Sequence, residues 1–165
     1  TARRKALERM ADAYRMAFAE ASRPDSPNPA ADDPYPLQNA LAASVLLSWG
    51  EARRGRTTKA IEDELQRLEE MALARRESKS DFWSLCLEPD AQLLRQLARS
   101  SLDAGAVQSI VGAYRLARQR GASPHELRSA LENLAFLEEM ARHLAPERHR
   151  TEVVGGIAAI RQALE

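Results

Sequence analysis

The 165-residue chain has one cysteine and no long apolar run, and each of these shortages argues against a class of protein. Its one cysteine, Cys86, cannot form an internal disulfide, so we expect a reducing compartment. No stretch approaches the roughly 20 apolar residues that span a membrane, and the amino terminus carries no hydrophobic signal core. We therefore expect a cytoplasmic protein without a membrane partner.

An excess of charge of either sign is also missing. The chain has 24 basic and 24 acidic residues, and its formal net charge is zero. Because no global positive field draws it to phosphates, we expect no nucleic-acid partner. Lysine occurs only at Lys5, Lys59 and Lys79, and arginine supplies the remaining positive charge. This bias is typical of a GC-rich genome and indicates a bacterial protein.

The hydrophobic pattern of the sequence is helical. Apolar residues recur at spacings of three and four, and no segment alternates between apolar and polar residues as a strand does. The segment 2–22 carries one apolar stripe, whereas 35–49 is apolar nearly all round, as expected of a helix enclosed by neighbours. Between them, residues 23–34 contain four prolines and predict an exposed loop. We expect Trp49 and Trp83 to pack in the core, since both lie in apolar runs.

Residues at the helix ends predict further boundaries. Gly50 is placed to end the second helix, and Thr57 or Thr58 to cap the third. The fourth helix opens near Ser80 and keeps its helical phase across Pro89. Pro89 therefore predicts a kink or a short break in one long helix or, alternatively, the first turn of a new one.

The clearest boundary lies later in the chain. One helix ends at Gly121, and Ser123-Pro124-His125-Glu126 supplies an N-cap serine, a proline at the first helical position and a glutamate three residues after the cap. The helix that follows breaks at Pro146, and a last helix is weakened by Gly155-Gly156.

About seven helices with short connections predict a single all-α domain over 1–165. The best architecture is a set of antiparallel helical hairpins, in a tetratricopeptide-like or irregular bundle. The two clearest hairpins occupy roughly 58–101 and 103–144. The chain starts without methionine and almost at once in a helical pattern, so we expect a domain cut from a larger protein.

Several landmarks resemble a known helical module. Ala106, Ile110 and Ala113 reproduce the small-large-small spacing of the second helix of a tetratricopeptide repeat. Further landmarks follow in order along the chain: Tyr14 and Phe18, Tyr35-Pro36, Asn39-Ala40, Gly50, Asp81-Phe82-Trp83 and Asp90-Ala91. Together they resemble the degenerate tetratricopeptide-like, or TRAF-binding-like, module of multidomain bacterial signalling and conflict proteins. The resemblance implies an interaction or regulatory domain, often tethered to a protease-like, nucleotide-binding or other effector domain.

No pattern of catalytic or ligand-holding residues accompanies these helices. The glycines lack the lysine and spacing of a phosphate loop, and the three histidines, His125, His143 and His149, form no metal-binding motif. Cys86 lies on an apolar helix, which favours a core residue over a nucleophile. The adjacent carboxylates Glu69-Glu70 and Glu138-Glu139 diverge around their helices and are expected on solvated faces. We therefore predict no enzyme, no metal and no cofactor.

The function predicted from these features is a non-enzymatic scaffold or regulatory module that binds a protein partner or another domain of its own polypeptide. Two arginine groups could hold an acidic peptide or a phosphate, Arg53, Arg54 and Arg56 in a turn and Arg115, Arg118 and Arg120 beside Tyr114. We select Tyr114, Arg115 and Arg118 as the partner-binding face, and expect their joint replacement by alanine to abolish binding without unfolding the domain. The alternative is a helical sensor that binds a small anionic ligand or nucleotide and controls a tethered effector.

Overall fold

The computed structural model describes residues 2–23, 25, 33–49, 58–78 and 81–165. These described residues form seven α-helices and no strand: α1 (Ala2–Ala21), α2 (Tyr35–Trp49), α3 (Lys59–Ser78), α4 (Phe82–Ala98), α5 (Ala104–Gln119), α6 (Pro124–Leu144) and α7 (Glu147–Leu164). The predicted all-α class is confirmed. Predictions for Gly50, Arg53, Arg54, Arg56, Thr57 and Ser80, and for most of the loop 23–34, lie outside the described residues.

Local side-chain chemistry explains where several helices begin and end. A carboxylate oxygen of Asp81 accepts a hydrogen bond from the backbone N–H of Ser84 at 3.0 Å and caps α4. The predicted capping box of α6 is confirmed, because Ser123 and Glu126 each accept the other's backbone N–H. Gly121 takes a positive φ of 111° just beyond α5, a conformation that glycine adopts without strain.

Helix α4 continues through Pro89 without a break. The short break and the new helix predicted as alternatives at Pro89 are therefore both wrong, and the continuous helical phase indicated by the apolar residues is confirmed. The continuity matters for function because it keeps Trp83 and Asp90 on one helix, seven residues and about two turns apart.

Helix α2 lies at the centre of the bundle, where it contacts α1, α3, α4 and α6. Every residue from Ala40 to Leu46 is buried, so the predicted enclosure of this helix is confirmed. Helix α1 packs on α2, α3 on α4, and α6 on α7. The predicted hairpin over 58–101 corresponds to α3 and α4.

The predicted hairpin over 103–144 is wrong in its packing. Helices α5 and α6 are joined by a tight turn, yet among the described residues they scarcely contact each other, and α5 packs on α4 and α7 instead. The buried residues of α5, Ile110, Tyr114 and Ala117, form one stripe, which can cover only one set of neighbours.

The two tryptophans have different environments. Trp49 is buried, as predicted, and its indole N–H donates to the backbone oxygen of Leu97 at 2.9 Å. Trp83 is 47% exposed, so its predicted place in the core is wrong. Apolar neighbours in the sequence did not reveal that Trp83 lies on a different face of α4 from the buried Phe82.

Glu138 is buried, so its predicted place on a solvated face is wrong. It lies on α6, where its carboxylate accepts hydrogen bonds from Arg142 and from Arg161 of α7. Two guanidinium groups compensate the buried charge, so Glu138 ties α6 to α7.

Within the part of the chain that the structure describes, no helix has the length and apolarity required to cross a membrane.

Gly156 allows α7 to approach the segment between α4 and α5 closely. A Cβ atom at this position would lie 2.6 Å from side-chain atoms of Leu102 and 3.1 Å from its backbone oxygen. One turn earlier, the Glu152 carboxylate accepts the backbone N–H of Leu102 at 2.7 Å. A Cβ atom at Gly155, by contrast, would meet no neighbouring atom of the described residues within 4 Å.

Gly156→Ala is therefore expected to lower the free energy of unfolding by about 1–3 kcal/mol, because the buried Leu102 cannot move aside without cost. Gly155→Ala is the matched control and should raise it by about 0.5–1 kcal/mol, since alanine favours the helix and meets no neighbour. Urea unfolding followed by circular dichroism measures both. Equal effects of the two changes would contradict the close approach at Gly156.

Candidate functional site

A cavity of about 590 Å³ opens between α2, α4 and α6. Each helix lines it with side chains three and four residues apart, so that each presents one stripe. The stripes are Tyr35, Gln38 and Asn39 of α2; Trp83, Cys86, Leu87 and Asp90 of α4; and Ser129, Ala130, Glu132 and Asn133 of α6, with Asp33, Pro34 and Arg75 completing the lining. Its volume falls within the range of about 300–1,000 Å³ that is typical of ligand sites.

Asp90 places a largely buried carboxyl group in this α2–α4–α6 cavity. Its Oδ1 accepts a hydrogen bond from the Tyr114 hydroxyl, and its Oδ2 accepts one from the Gln38 amide at 2.7 Å. Burial raises the pKa of Asp90 to about 6, although both hydrogen bonds oppose the rise. Near pH 7 the carboxylate is therefore ionised, and its two neutral donors solvate the charge without neutralising it.

Negative charge predominates along the cavity. Among the described residues, Asp33, Asp90 and Glu132 line it, against one cation, Arg75. Asp33 lies at the start of α2, where one of its oxygens accepts the backbone N–H of Tyr35 at 3.0 Å. Glu132 is exposed on α6. The lining is thus better suited to a positively charged group than to an anion.

Two exposed aromatic rings border the same cavity. Trp83 packs edge-on against the buried Phe82, with ring centroids 5.3 Å apart. Tyr35 of α2 is 57% exposed and packs edge-on against Tyr14 of α1, with centroids 5.9 Å apart. These contacts hold one side of each ring while much of its surface stays open to solvent.

Cys86 lines the cavity but is itself buried, which confirms its predicted place in the core. Burial raises the pKa of its thiol far above the usual range, and nearby negative charges raise it further, namely those of Asp90, Glu126 and Asp81. The thiol therefore stays protonated near neutral pH, a state that is a poor nucleophile.

The three residues predicted to form the partner-binding face do not lie on one surface of the structure. Tyr114 is 1% exposed and its hydroxyl donates inward to Asp90, so its selection as a partner-contacting residue is wrong. It belongs to the buried stripe of α5 rather than to the exposed side of that helix. Arg115 is exposed, and the exposed Arg118 donates from Nη1 to the backbone oxygen of Leu164 at 2.8 Å. Partner binding by these two arginines stays a prediction.

The histidines lie away from the lining of the cavity. His143 pairs with Glu139 on an exposed part of α6, with 2.8 Å between Nε2 and Oε1. Over the described ranges, no three histidine, cysteine, aspartate or glutamate side chains are grouped to hold a metal ion.

Sequence reasoning did not select the cavity as a site, although several of its residues were landmarks of the tetratricopeptide-like resemblance. Tyr35, Asn39, Trp83 and Asp90 all line it. One usable signal was the polar pair Gln38 and Asn39, because polar side chains in a helix that is otherwise apolar all round need partners.

Comparison of the chain with protein families, with curated proteins and with solved structures finds no match. The tetratricopeptide-like resemblance therefore stays a prediction, and function has to be inferred from the cavity and its surroundings.

Proposed function

We propose that this domain is a non-enzymatic recognition module that receives a segment of a protein partner, or of another domain of its own polypeptide, in the α2–α4–α6 cavity. The observation that carries the proposal is the mixed lining, in which Ser129 and Asn133 line the same cavity as the exposed ring of Trp83. Hydroxyl and amide groups can pair with peptide backbone, and aromatic rings are preferred anchors at protein interfaces.

The chemistry of the lining favours binding over catalysis. Its one thiol, that of Cys86, is buried and protonated near neutral pH. The proposal extends to a regulatory role in a cytoplasmic bacterial signalling or effector protein, which is the setting that the tetratricopeptide-like resemblance implies.

The alternative of a sensor for a small anionic ligand or nucleotide is less compatible with this cavity. Of the described lining residues, Asp33, Asp90 and Glu132 would repel an anion there, and one, Arg75, would attract it. A phosphate or carboxylate ligand normally needs several donors or cations in place of such carboxylates.

Selection of random linear peptides on the immobilised domain tests the proposal, with affinities then measured by calorimetry. Trp83→Ala is expected to lower the affinity of the selected peptides at least about tenfold, because it removes the aromatic anchor of the cavity. Leu116→Ala is the matched control. Leu116 of α5 is 49% exposed, close to the 47% of Trp83, but it does not line the cavity.

An Arg115→Ala/Arg118→Ala variant separates the cavity from the surface predicted on α5. Peptides that lose affinity only in this variant would move the partner surface to α5 and overturn the cavity proposal. A selection that yields no peptide sensitive to Trp83→Ala would overturn it as well.

A further inference from the structure

The charge of Asp90 is not required by the packing around it. Gln38 and Tyr114 could also donate to a neutral oxygen at the same place, since neither carries a charge. A buried charge normally costs stability unless a group of opposite sign pairs with it. A cation that enters the cavity could therefore form a favourable ion pair with the carboxylate of Asp90.

Asp90 also has room for further hydrogen bonds. An ionised carboxylate offers about four acceptor positions, and each oxygen of Asp90 accepts one bond in this structure. The remaining positions belong to a side chain that lines the cavity. A donor entering the cavity can therefore pair with Asp90 while the bonds from Gln38 and Tyr114 remain.

Trp83 narrows the type of cation. Indole is the aromatic ring that attracts organic cations most strongly, and it also covers the aliphatic part of a long basic side chain. Trp83 and Asp90 lie on one face of α4, and Glu132 adds a second carboxylate from α6. An aromatic wall and carboxylates in one cavity are complementary to a group with an apolar stem and a positive end.

We infer that the partner segment inserts an arginine or lysine side chain into the α2–α4–α6 cavity, with its cationic end at Asp90 and Glu132 and its stem against Trp83. This inference rests on the proposed function and adds the chemistry of the recognised residue. Charge complementarity is what selects a basic segment over an acidic or purely apolar one.

The peptides that depend on Trp83 provide the test. Each is expected to contain an arginine or a lysine, and replacing that residue by citrulline or norleucine, which are uncharged and similar in size, should weaken binding at least about tenfold. Asp90→Asn should weaken binding of the charged peptide by a similar factor and leave the affinity of the uncharged peptide nearly unchanged. This double-mutant cycle assigns the lost affinity to the pair formed by the peptide cation and Asp90.

Glu132→Gln keeps the test valid if Asp90→Asn disturbs the fold, because Glu132 is exposed. It should weaken only the charged peptide, by a smaller factor. Glu139→Gln is the matched control on the same helix, since Glu139 is exposed but does not line the cavity. It should leave binding of both peptides unchanged.

The possible failures are distinguishable. Trp83-dependent peptides without a basic residue, or with affinity unaffected by citrulline or norleucine, would overturn this inference and leave the proposed function standing. The absence of any Trp83-dependent peptide would overturn both. If no such peptide is found but putrescine binds and Trp83→Ala weakens its binding, the negatively charged cavity would be assigned to a small organic cation. The inference that a partner side chain binds there would then be overturned.

Discussion

Replacement of Tyr114 by alanine is expected to lower the free energy of unfolding by about 3–5 kcal/mol, a large share of the 5–15 kcal/mol typical of a domain. The side chain is 1% exposed, so its removal leaves a cavity beneath α5. The change also removes the hydroxyl that donates to Asp90. Urea unfolding followed by far-ultraviolet circular dichroism measures the loss.

Two further variants separate the contributions at this position. Tyr114→Phe keeps the ring and removes only the donor, so it should cost about 1–3 kcal/mol. Arg115→Ala, at the exposed neighbouring residue, should change stability by no more than about 0.5 kcal/mol. Unchanged stability of Tyr114→Ala would contradict the burial of Tyr114 and return it to the candidate partner surface.

Tyr114 illustrates what local sequence can and cannot predict. A tyrosine flanked by Arg115 and Arg118 is compatible with an exposed binding face, although its spacing from Ile110 and Ala117 places it on the apolar stripe of α5. The deciding partner, Asp90, lies on another helix, 24 residues away. Helix ends depend on neighbouring residues, so the Ser123-Glu126 capping box could be predicted directly.

The cavity could not be predicted for the same physical reason. Spacings of three and four residues indicate that Gln38 and Asn39, or Trp83 and Asp90, share a face of one helix. They do not say which faces meet. That depends on how α2, α4 and α6 pack, and the unexpected separation of α5 from α6 shows that sequence neighbours need not pack together.

The Asp90→Asn variant is expected to be more stable than the wild type at about pH 7 and nearly equal to it at about pH 4. Burial raises the pKa of Asp90 from 3.8 to about 6, so between these values the folded state binds more protons than the unfolded state. The stability that the protonated carboxyl group contributes is therefore fully present below pH 3.8. It is lost as the pH rises through about 6. This shift in pKa corresponds to a loss of at most about 3 kcal/mol in the free energy of unfolding of the wild type.

Asparagine reproduces the shape of the protonated carboxyl group and does not titrate. Its amide oxygen can accept the Tyr114 hydroxyl, and its amide N–H can donate to Gln38 if the Gln38 amide turns over. Unfolding free energies of the two proteins, measured from about pH 4 to about pH 7, give a difference in which the other carboxyl groups cancel. A difference that does not change with pH would contradict the raised pKa of Asp90.

A gain in stability would also bear on function. An Asp90→Asn protein that is more stable near neutral pH and yet binds basic peptides more weakly would mean that the carboxylate serves recognition at the expense of the fold. An Asp90→Asn protein that is less stable at every pH would mean that the bonds from Gln38 and Tyr114 favour the charged group enough to outweigh its burial. Asp90 would then be a structural residue, and the negative charge that the described lining offers to a partner would rest on Asp33 and Glu132.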